Sequence, residues 1–388
     1  MPDPRPIRML LEPSHLERQE QFAAFLAQKI EPLAIAHDDQ SARDQARELV
    51  GLLGNGQWYE PIAAEDLRSC CLIREALAEV SPLADAVYAL QALGSMPLVL
   101  AGTNEQQERW LGPLRAGQLM SAFAMTEPNA GSDVASMETR ATMDGDHYVL
   151  NGTKTFISNA GIADFYTVFA STNPAAAAKG ISCFVVPADT PGFRFVKAQI
   201  LSEPHPLGEI TFENCRIPAS HRLGAEGKGL GLGLATLDRL RPTVGAAACG
   251  MAARALTEAL DHLRSRRQFG QRLAEFQLMQ QKIARMATDL AAARLLVYTA
   301  AWEKDHGAKR IGLESAMAKS FATEAAGRII DDAVQILGGR GVLAESVVDR
   351  LYRAARSLRI YEGTTEIQHL IIGSHFIQQA DEASPTEG

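Results

Sequence analysis

Cysteine is scarce in this sequence: five in 388 residues, at Cys70, Cys71, Cys183, Cys215 and Cys249. None forms a C-x-x-C pair and no histidine stands at metal-ligand spacing beside them, so neither a zinc site nor a redox dithiol is expected. Buried free thiols in a reducing compartment are the plain reading. Positive charge is also short, with 38 Lys and Arg against 46 Asp and Glu, a net charge of -8. Such a balance argues against non-specific nucleic-acid binding. No uncharged apolar run reaches the length of a membrane span. Met1–Leu11 carries Arg5 and Arg8 but no apolar h-region, so no secretory signal is expected, and a cytoplasmic location is. No metal site, membrane or nucleic-acid partner is expected. Proline, finally, is absent between Pro242 and Pro385.

What is present is a globular composition, 46% hydrophobic and 22% charged, in a chain long enough for two or three sub-domains. The proline-free stretch is rich in Ala, Leu, Arg and Gln, and its apolar residues recur at helical spacing, as in Ile283, Met286, Leu290, Leu295 and Tyr298. Long helices are predicted there, broken at Gly307, Gly312 and Gly338–Gly341. The middle reads as strands at Tyr148–Leu150, Phe165–Ala170, Ile181–Val186, Phe193–Val196 and Glu209–Phe212, with turns at Asp144-Gly145, Asn151-Gly152 and Pro191-Gly192. Toward the N-terminus the pattern is helical again. Ser14 with Glu17 reads as a capping box opening the first long helix, and Pro82 as the first residue of another. The order helices, strands, helices predicts an α+β multidomain fold rather than a doubly wound sheet. Domain boundaries are expected at 1–117, 118–222 and 223–388.

Five segments can carry chemistry. Phe123-Ala-Met125-Thr126-Glu127-Pro-Asn-Ala-Gly131-Ser132-Asp133 follows a strand with small residues and hydroxyls, which can bring backbone N–H groups and Thr126 to a flat polar ligand; an ordinary turn explains the same residues. Phe156 and Ser158, two apart on a strand, should share a face, so that one stacks and the other bonds to one ring. Arg266, Phe269 and Gly270, followed by Gln277, suit a pyrophosphate, or equally a basic helix end. Gln335 through Gly338, Gly339 and Gly341 permits close approach of a ligand, or simply caps a helix. In Ile360-Tyr361-Glu362-Gly363-Thr364-Thr365-Glu366, Glu362 sits at a break before a helix whose N-cap is Thr364 or Thr365, so its carboxylate can project into a cavity.

The order and spacing of these segments resemble the acyl-CoA dehydrogenase family along nearly the whole chain. The resemblance implies an N-terminal helical domain, a central β-barrel-like domain and a C-terminal four-helix bundle. It implies FAD as cofactor, a homotetramer with FAD partly across a subunit contact, an acyl-CoA substrate, and electron-transferring flavoprotein as acceptor in acyl-CoA catabolism. By the same resemblance, Phe123, Met125, Thr126, Gly131, Ser132, Phe156 and Ser158 line the flavin, with Ser158 near its N5. Arg266, Phe269 and Gln277 reach the FAD of a neighbouring subunit, Gln335, Gly338 and Gly339 hold its adenosine diphosphate part, and Thr364 and Glu366 complete the site. Ser132, Asp238, Arg241 and Gly363 contact the CoA ester. Glu362 is then the base that takes the α-proton, while the β-hydride passes to the flavin; the product is a trans-2-enoyl-CoA. Leu240, at the position where one family branch carries its base, has no titratable group.

Two other classes stand beside this reading: a non-catalytic FAD-bearing binding protein of the same fold, which has no use for Glu362, and a flavin monooxygenase, which typically lacks the Tyr361–Thr364 motif. Several positions depart from the family pattern, among them Leu201–Gly208, where prolines flank His205; an exposed loop histidine is expected there.

Overall fold

The computed structural model describes residues 5–383; residues 1–4 and 384–388, which include Pro385 and part of the expected signal-free N-terminus, lie outside the described residues. Helices α1 (Pro13–Phe25), α2 (Asp39–Asn55), α3 (Glu60–Ala63), α4 (Leu67–Val80), α5 (Pro82–Ala101) and α6 (Asn104–Arg115) come first. Strands β1 (Ser121–Ala124), β2 (Arg140–Asp144), β3 (His147–Ser158), β4 (Phe165–Ser171), β5 (Ile181–Pro187), β6 (Phe193–Ala198), β7 (Leu207–Pro218) and β8 (Arg222–Leu223) follow. Helix α7 (Gly229–Ser265), the small hairpin β9 (Arg267–Gln268) and β10 (Gln271–Arg272), then α8 (Gln277–Asp305), α9 (Gly312–Leu337), α10 (Val347–Leu358) and α11 (Thr365–Ala383) complete the chain. The architecture is an N-terminal helical region, a central β-sheet and a C-terminal helical domain.

Contacts divide the chain into two compact units. One gathers the residues up to Ala27, Leu67–Pro82 and everything from Asp238 on. Its core mixes alanines with larger apolar residues, among them Val244, Met251, Leu290, Val297, Ile329 and Leu351. Small residues let helices approach closely: a Cβ on Gly245 would stand 2.6 Å from Val297, and one on Gly250 would stand 2.0 Å from the Glu75 carbonyl. Several buried charges in this unit are paired. Glu75 accepts from Arg294 Nε at 2.7 Å and from the Tyr298 hydroxyl at 2.9 Å, and Arg68 pairs with Asp305 at 2.7 Å.

The other unit holds Gln28–Asp66 and Leu83–Leu237. Its eight strands form one sheet in the order β6-β7-β3-β2-β4-β5-β8, with β1 parallel to β4. Trp110 of α6 packs on Phe165 of β4 at 5.1 Å between ring centroids, within a core that includes Phe169 and Val185. Helix α5 is long and apolar enough to cross a membrane, although its sequence includes Asp85; 78% of its apolar window is buried. It is a core helix, held by side chains such as Thr167, whose hydroxyl donates to the Gly94 carbonyl at 2.7 Å.

Two local expectations are corrected. The box that opens α1 is Glu12 with His15, not Ser14 with Glu17: Pro13 occupies the first turn, so the cap lies earlier, and the Glu12 N–H donates to His15 Nδ1 at 3.1 Å. Asn151-Gly152 is no turn. It lies within β3 at a register shift opposite β7, where Gly152 has φ 148° and a Cβ would stand 2.5 Å from the Thr139 hydroxyl oxygen. Pro242, for its part, sits inside α7. Its ring nitrogen cannot donate to the carbonyl four residues back, that of Asp238. Ser315 Oγ stands at that carbonyl instead, at 2.7 Å, sharing its one hydrogen with the Ile311 carbonyl at 2.5 Å.

Candidate active site

The link between α10 and α11 is a closed turn. The Thr365 N–H donates to the Arg359 carbonyl at 3.1 Å. Both residues also grip Glu324 of α9: Arg359 Nε at 2.7 Å and the Thr365 hydroxyl at 2.8 Å, each on Oε1. Thr364 caps α11, accepting from the Ile367 N–H at 3.4 Å, so the capping expectation holds at Thr364. Glu362 and Gly363 are the apex, with φ of 55° and 93°. The left-handed region is costly for a residue with a Cβ, and such strain is maintained only where the surroundings fix it.

Here the surroundings fix it through the two apex carbonyls. The Glu362 carbonyl accepts from Arg241 Nε at 3.0 Å and Gln368 Nε2 at 3.3 Å. The Gly363 carbonyl accepts from Lys319 Nζ at 2.6 Å and Gln368 Nε2 at 2.9 Å. A side chain at 363 would crowd Gln368, whose Nε2 would stand 2.6 Å from a Cβ, so that amide would have to leave the apex carbonyls. Arg241 is 4% exposed and also binds Asp238, Nη1 to Oδ1 at 2.7 Å. Both carboxylate oxygens of Glu362 are shut off from solvent. Burial pushes the Lys319 ammonium down to about 8 against the attraction of Glu362, and it lowers Arg241 against Asp238 and Glu362. Burial also raises the Asp238 carboxyl, with Arg241 opposing. The apex carboxylate thus faces two cations in a site that disfavours charge. Asp238, Arg241, Glu362 and Gly363, assigned from the sequence, stand together.

Lys319, Gln368 and Glu324 were not assigned. A lone lysine in Ser315-Ala-Met-Ala-Lys319-Ser-Phe-Ala was the available signal for the first. Gln368 lay within the last motif. Glu324 offered no local sign, because its partners are 35 and 41 residues away.

In the sheet unit, the ends of β1 and β3 lie side by side: the Thr155 N–H donates to the Thr126 carbonyl at 3.0 Å. Beneath them Lys154 is fully buried and binds the Met125 carbonyl at 3.0 Å and Glu127 Oε1 at 2.8 Å. Met125 is likewise buried, while Phe123 is half-buried, 5.0 Å from the Phe169 ring. The regular strand assumed for Phe156 and Ser158 is broken by a register shift between Lys154 and Ile157. Phe156 takes φ 54° at this bulge and is 62% exposed; its N–H donates to Gln199 Oε1 at 2.8 Å. Ser158 is half-buried and bonded to His205, Oγ to Nε2 at 2.7 Å. His205 is therefore not the exposed loop residue expected. Gly131 and Ser132 are exposed on the loop after β1.

The remaining assigned residues are presented outward. Arg266, Phe269 and Gln277 are exposed around the β9–β10 hairpin, Phe269 at 93%. Gln335, Gly338 and Gly339 are exposed at the end of α9, where a Cβ on either glycine would meet nothing within 4 Å. Gly338, at φ 59°, is the α9 C-cap. Glu366 is exposed in the first turn of α11. These residue types fit FAD: hydroxyls at Thr126 and Ser158 match a heterocycle edge, and an exposed arginine with open glycine backbone matches a pyrophosphate. All five cysteines are buried and free, as expected.

Comparison with known proteins covers most of the chain. Residues 12–118 match the N-terminal domain of acyl-CoA dehydrogenases, residues 122–215 the middle domain and residues 227–377 the C-terminal domain. A probable acyl-CoA dehydrogenase, FadE25, of Mycobacterium tuberculosis is 39% identical over 371 residues, 93% of this chain and 95% of that protein. Cyclohexane-1-carbonyl-CoA dehydrogenase of Geobacter metallireducens is 38% identical over 312 residues, 80% of this chain and 82% of that one. Among solved structures, butyryl-CoA dehydrogenase of Megasphaera elsdenii is similar with a TM-score of 0.88 and 34% identity, covering 95% of this chain and 99% of that one.

Proposed function

The chain belongs to the acyl-CoA dehydrogenase family, and from that premise we propose that Glu362 is the base that removes the α-proton of an acyl-CoA thioester. It is an oxidoreductase of that family; the residue roles, the product and the partners are our reading. The observation that carries it is the apex of the α10–α11 turn, a glutamate in the left-handed region with both carboxylate oxygens buried. A surface carboxylate serving only as a helix cap needs neither.

An α-proton beside a thioester is too weakly acidic for a free carboxylate to take, so negative charge growing on the thioester oxygen must be stabilised. We assign the Glu362 backbone N–H to that oxygen. The hydrogen bonds on the Glu362 and Gly363 carbonyls hold the two peptides that follow this N–H, which limits how far the turn can shift when substrate enters. Burial of the carboxylate oxygens keeps water away from the proton in transfer. FAD, when bound, supplies the acceptor for the β-hydride. Phe123, Met125, Thr126, Gly131, Ser132, Phe156 and Ser158 would hold its ring. Arg266, Phe269, Gln277, Gln335, Gly338, Gly339, Thr364 and Glu366 would hold the rest, in a homotetramer. Ser132, Asp238, Arg241 and Gly363 would receive the CoA ester, and electron-transferring flavoprotein would take the electrons.

Anaerobic mixing of the flavin-loaded protein with straight, branched, cyclic and aromatic acyl-CoA thioesters tests the reading. Bleaching of the flavin by at least one class, with the matching 2-enoyl thioester as product, is the expected result. Absence of bleaching by every thioester would favour a non-catalytic flavin carrier or a monooxygenase.

A further inference from the structure

We propose that His205 is a positioning residue for Ser158, fixing the rotamer of its hydroxyl so that the other side of that hydroxyl can serve as donor or acceptor. The proposal rests on the reading of Ser158 as a hydroxyl at the flavin edge. A serine hydroxyl turns freely among its rotamers unless a partner claims it. Here Nε2 of His205 claims it at 2.7 Å.

The histidine is itself held in place. Pro204 and Pro206 restrict the backbone on either side. The Asn159 N–H donates to the Pro206 carbonyl at 2.9 Å, and the Gln199 N–H donates to the Leu207 carbonyl at 3.0 Å. Leu207 is the register partner of Ser158 across β7 and β3. From α2, the buried Arg43 ties both chain segments together, with Nη2 on the Leu207 carbonyl at 2.9 Å and Nη1 on the Ala160 carbonyl at 2.5 Å. Arg43 is in turn bound to Asp39, Nε to Oδ2 at 2.6 Å. A surface histidine that met Ser158 by accident would not need this bracing.

The charged groups facing the ring are Arg43 and Asp39. Burial and the Arg43 cation push the imidazole down to about 4, with Asp39 opposing, so the ring is neutral at neutral pH. A neutral ring nitrogen donates or accepts according to tautomer, whereas a cationic one only donates. Ser158 paired with a neutral His205 can therefore present either a hydrogen or a lone pair on its far side without moving a heavy atom. A heterocyclic nitrogen that accepts a hydrogen bond when oxidised and donates one when reduced can keep such a partner in both states.

A double-mutant cycle on the flavin-loaded protein tests this, comparing His205→Leu, His205→Gln, Ser158→Ala and the Ser158→Ala, His205→Leu pair. Two quantities are read: the position of the visible flavin band, and the rate of anaerobic bleaching by a thioester that reduces the parent protein. Expected is a band shift and a rate lower by about three- to tenfold for His205→Leu, the size of one neutral hydrogen bond. His205→Gln, which keeps a polar nitrogen, should recover most of both, and the leucine effect should vanish once Ser158 is alanine. A leucine effect of equal size in both serine backgrounds, or none in either, overturns the proposal. If Ser158→Ala leaves the flavin band unmoved, the placement of Ser158 at the flavin fails and this proposal fails with it. Glu362 as base would be untouched by that result.

Discussion

Residue 363 shows how little freedom the α10–α11 turn has. Glycine is favoured there twice over, by φ of 93° and by the 2.6 Å that would separate a Cβ from Gln368 Nε2. Gly363→Ala should therefore destabilise the protein by about 1–3 kcal/mol, measurable by urea unfolding. It should also slow flavin bleaching, since the apex can relax only by turning Glu362 or releasing Gln368. Unchanged stability and rate would mean that the turn is not under constraint. The glycine and the glutamate were both legible in the sequence, because a carboxylate beside a glycine before a threonine cap marks a break. Their anchors were not. Arg241 is 121 residues from Glu362 and Lys319 is 44 from Gly363, and nothing local in either stretch says that two carbonyls need donors. His205 was read as a loop residue for the same reason: proline on both sides signals a stiff loop, but not what the stiffness holds.

Among the elements, α7 carries the least obvious design. Pro242 leaves the Asp238 carbonyl without its helical donor, and Ser315 of α9 supplies a shared one at 2.7 Å. That bond sits beside the Asp238–Arg241 pair, so the proline gap joins α7 to α9 where Arg241 reaches the α10–α11 turn. Ser315→Ala should cost about 1–2 kcal/mol in the parent chain by leaving a buried carbonyl short of a donor. In a Pro242→Ala background the helix can close on Asp238 itself, and the same substitution should cost markedly less. Equal costs in both backgrounds, measured by chemical unfolding, would disprove the compensation. Most other elements followed from the sequence: the five strand segments, the start of α5 at Pro82 and the breaks between α8, α9 and α10 all stand where apolar periodicity and glycine put them. At two places local rules competed. Asn-Gly favours a turn, but at 151–152 the sheet absorbs it as a bulge over Thr139. Proline disfavours a helix, but at 242 a serine from another helix makes up part of the loss.

At the level of the whole molecule, composition and the helix–strand–helix order sufficed for the fold class, and motif order sufficed for the family. The assembly of the units could not be read in that way. Residues up to Ala27 and Leu67–Pro82 join the C-terminal helices through pairs such as Glu75 with Arg294, 219 residues apart in sequence, a separation that no periodicity encodes. The reaction proposed for this chain nevertheless reduces to one group: every other assigned residue binds, orients or excludes water, and Glu362 alone exchanges a proton with substrate. The most direct measurement is therefore the anaerobic bleaching rate of Glu362→Gln, at flavin content equal to the parent, with a thioester that bleaches the parent. Loss of a general base predicts a fall of at least about 100-fold with the flavin spectrum intact. A glutamine variant that bleaches at close to the parent rate would contradict the account.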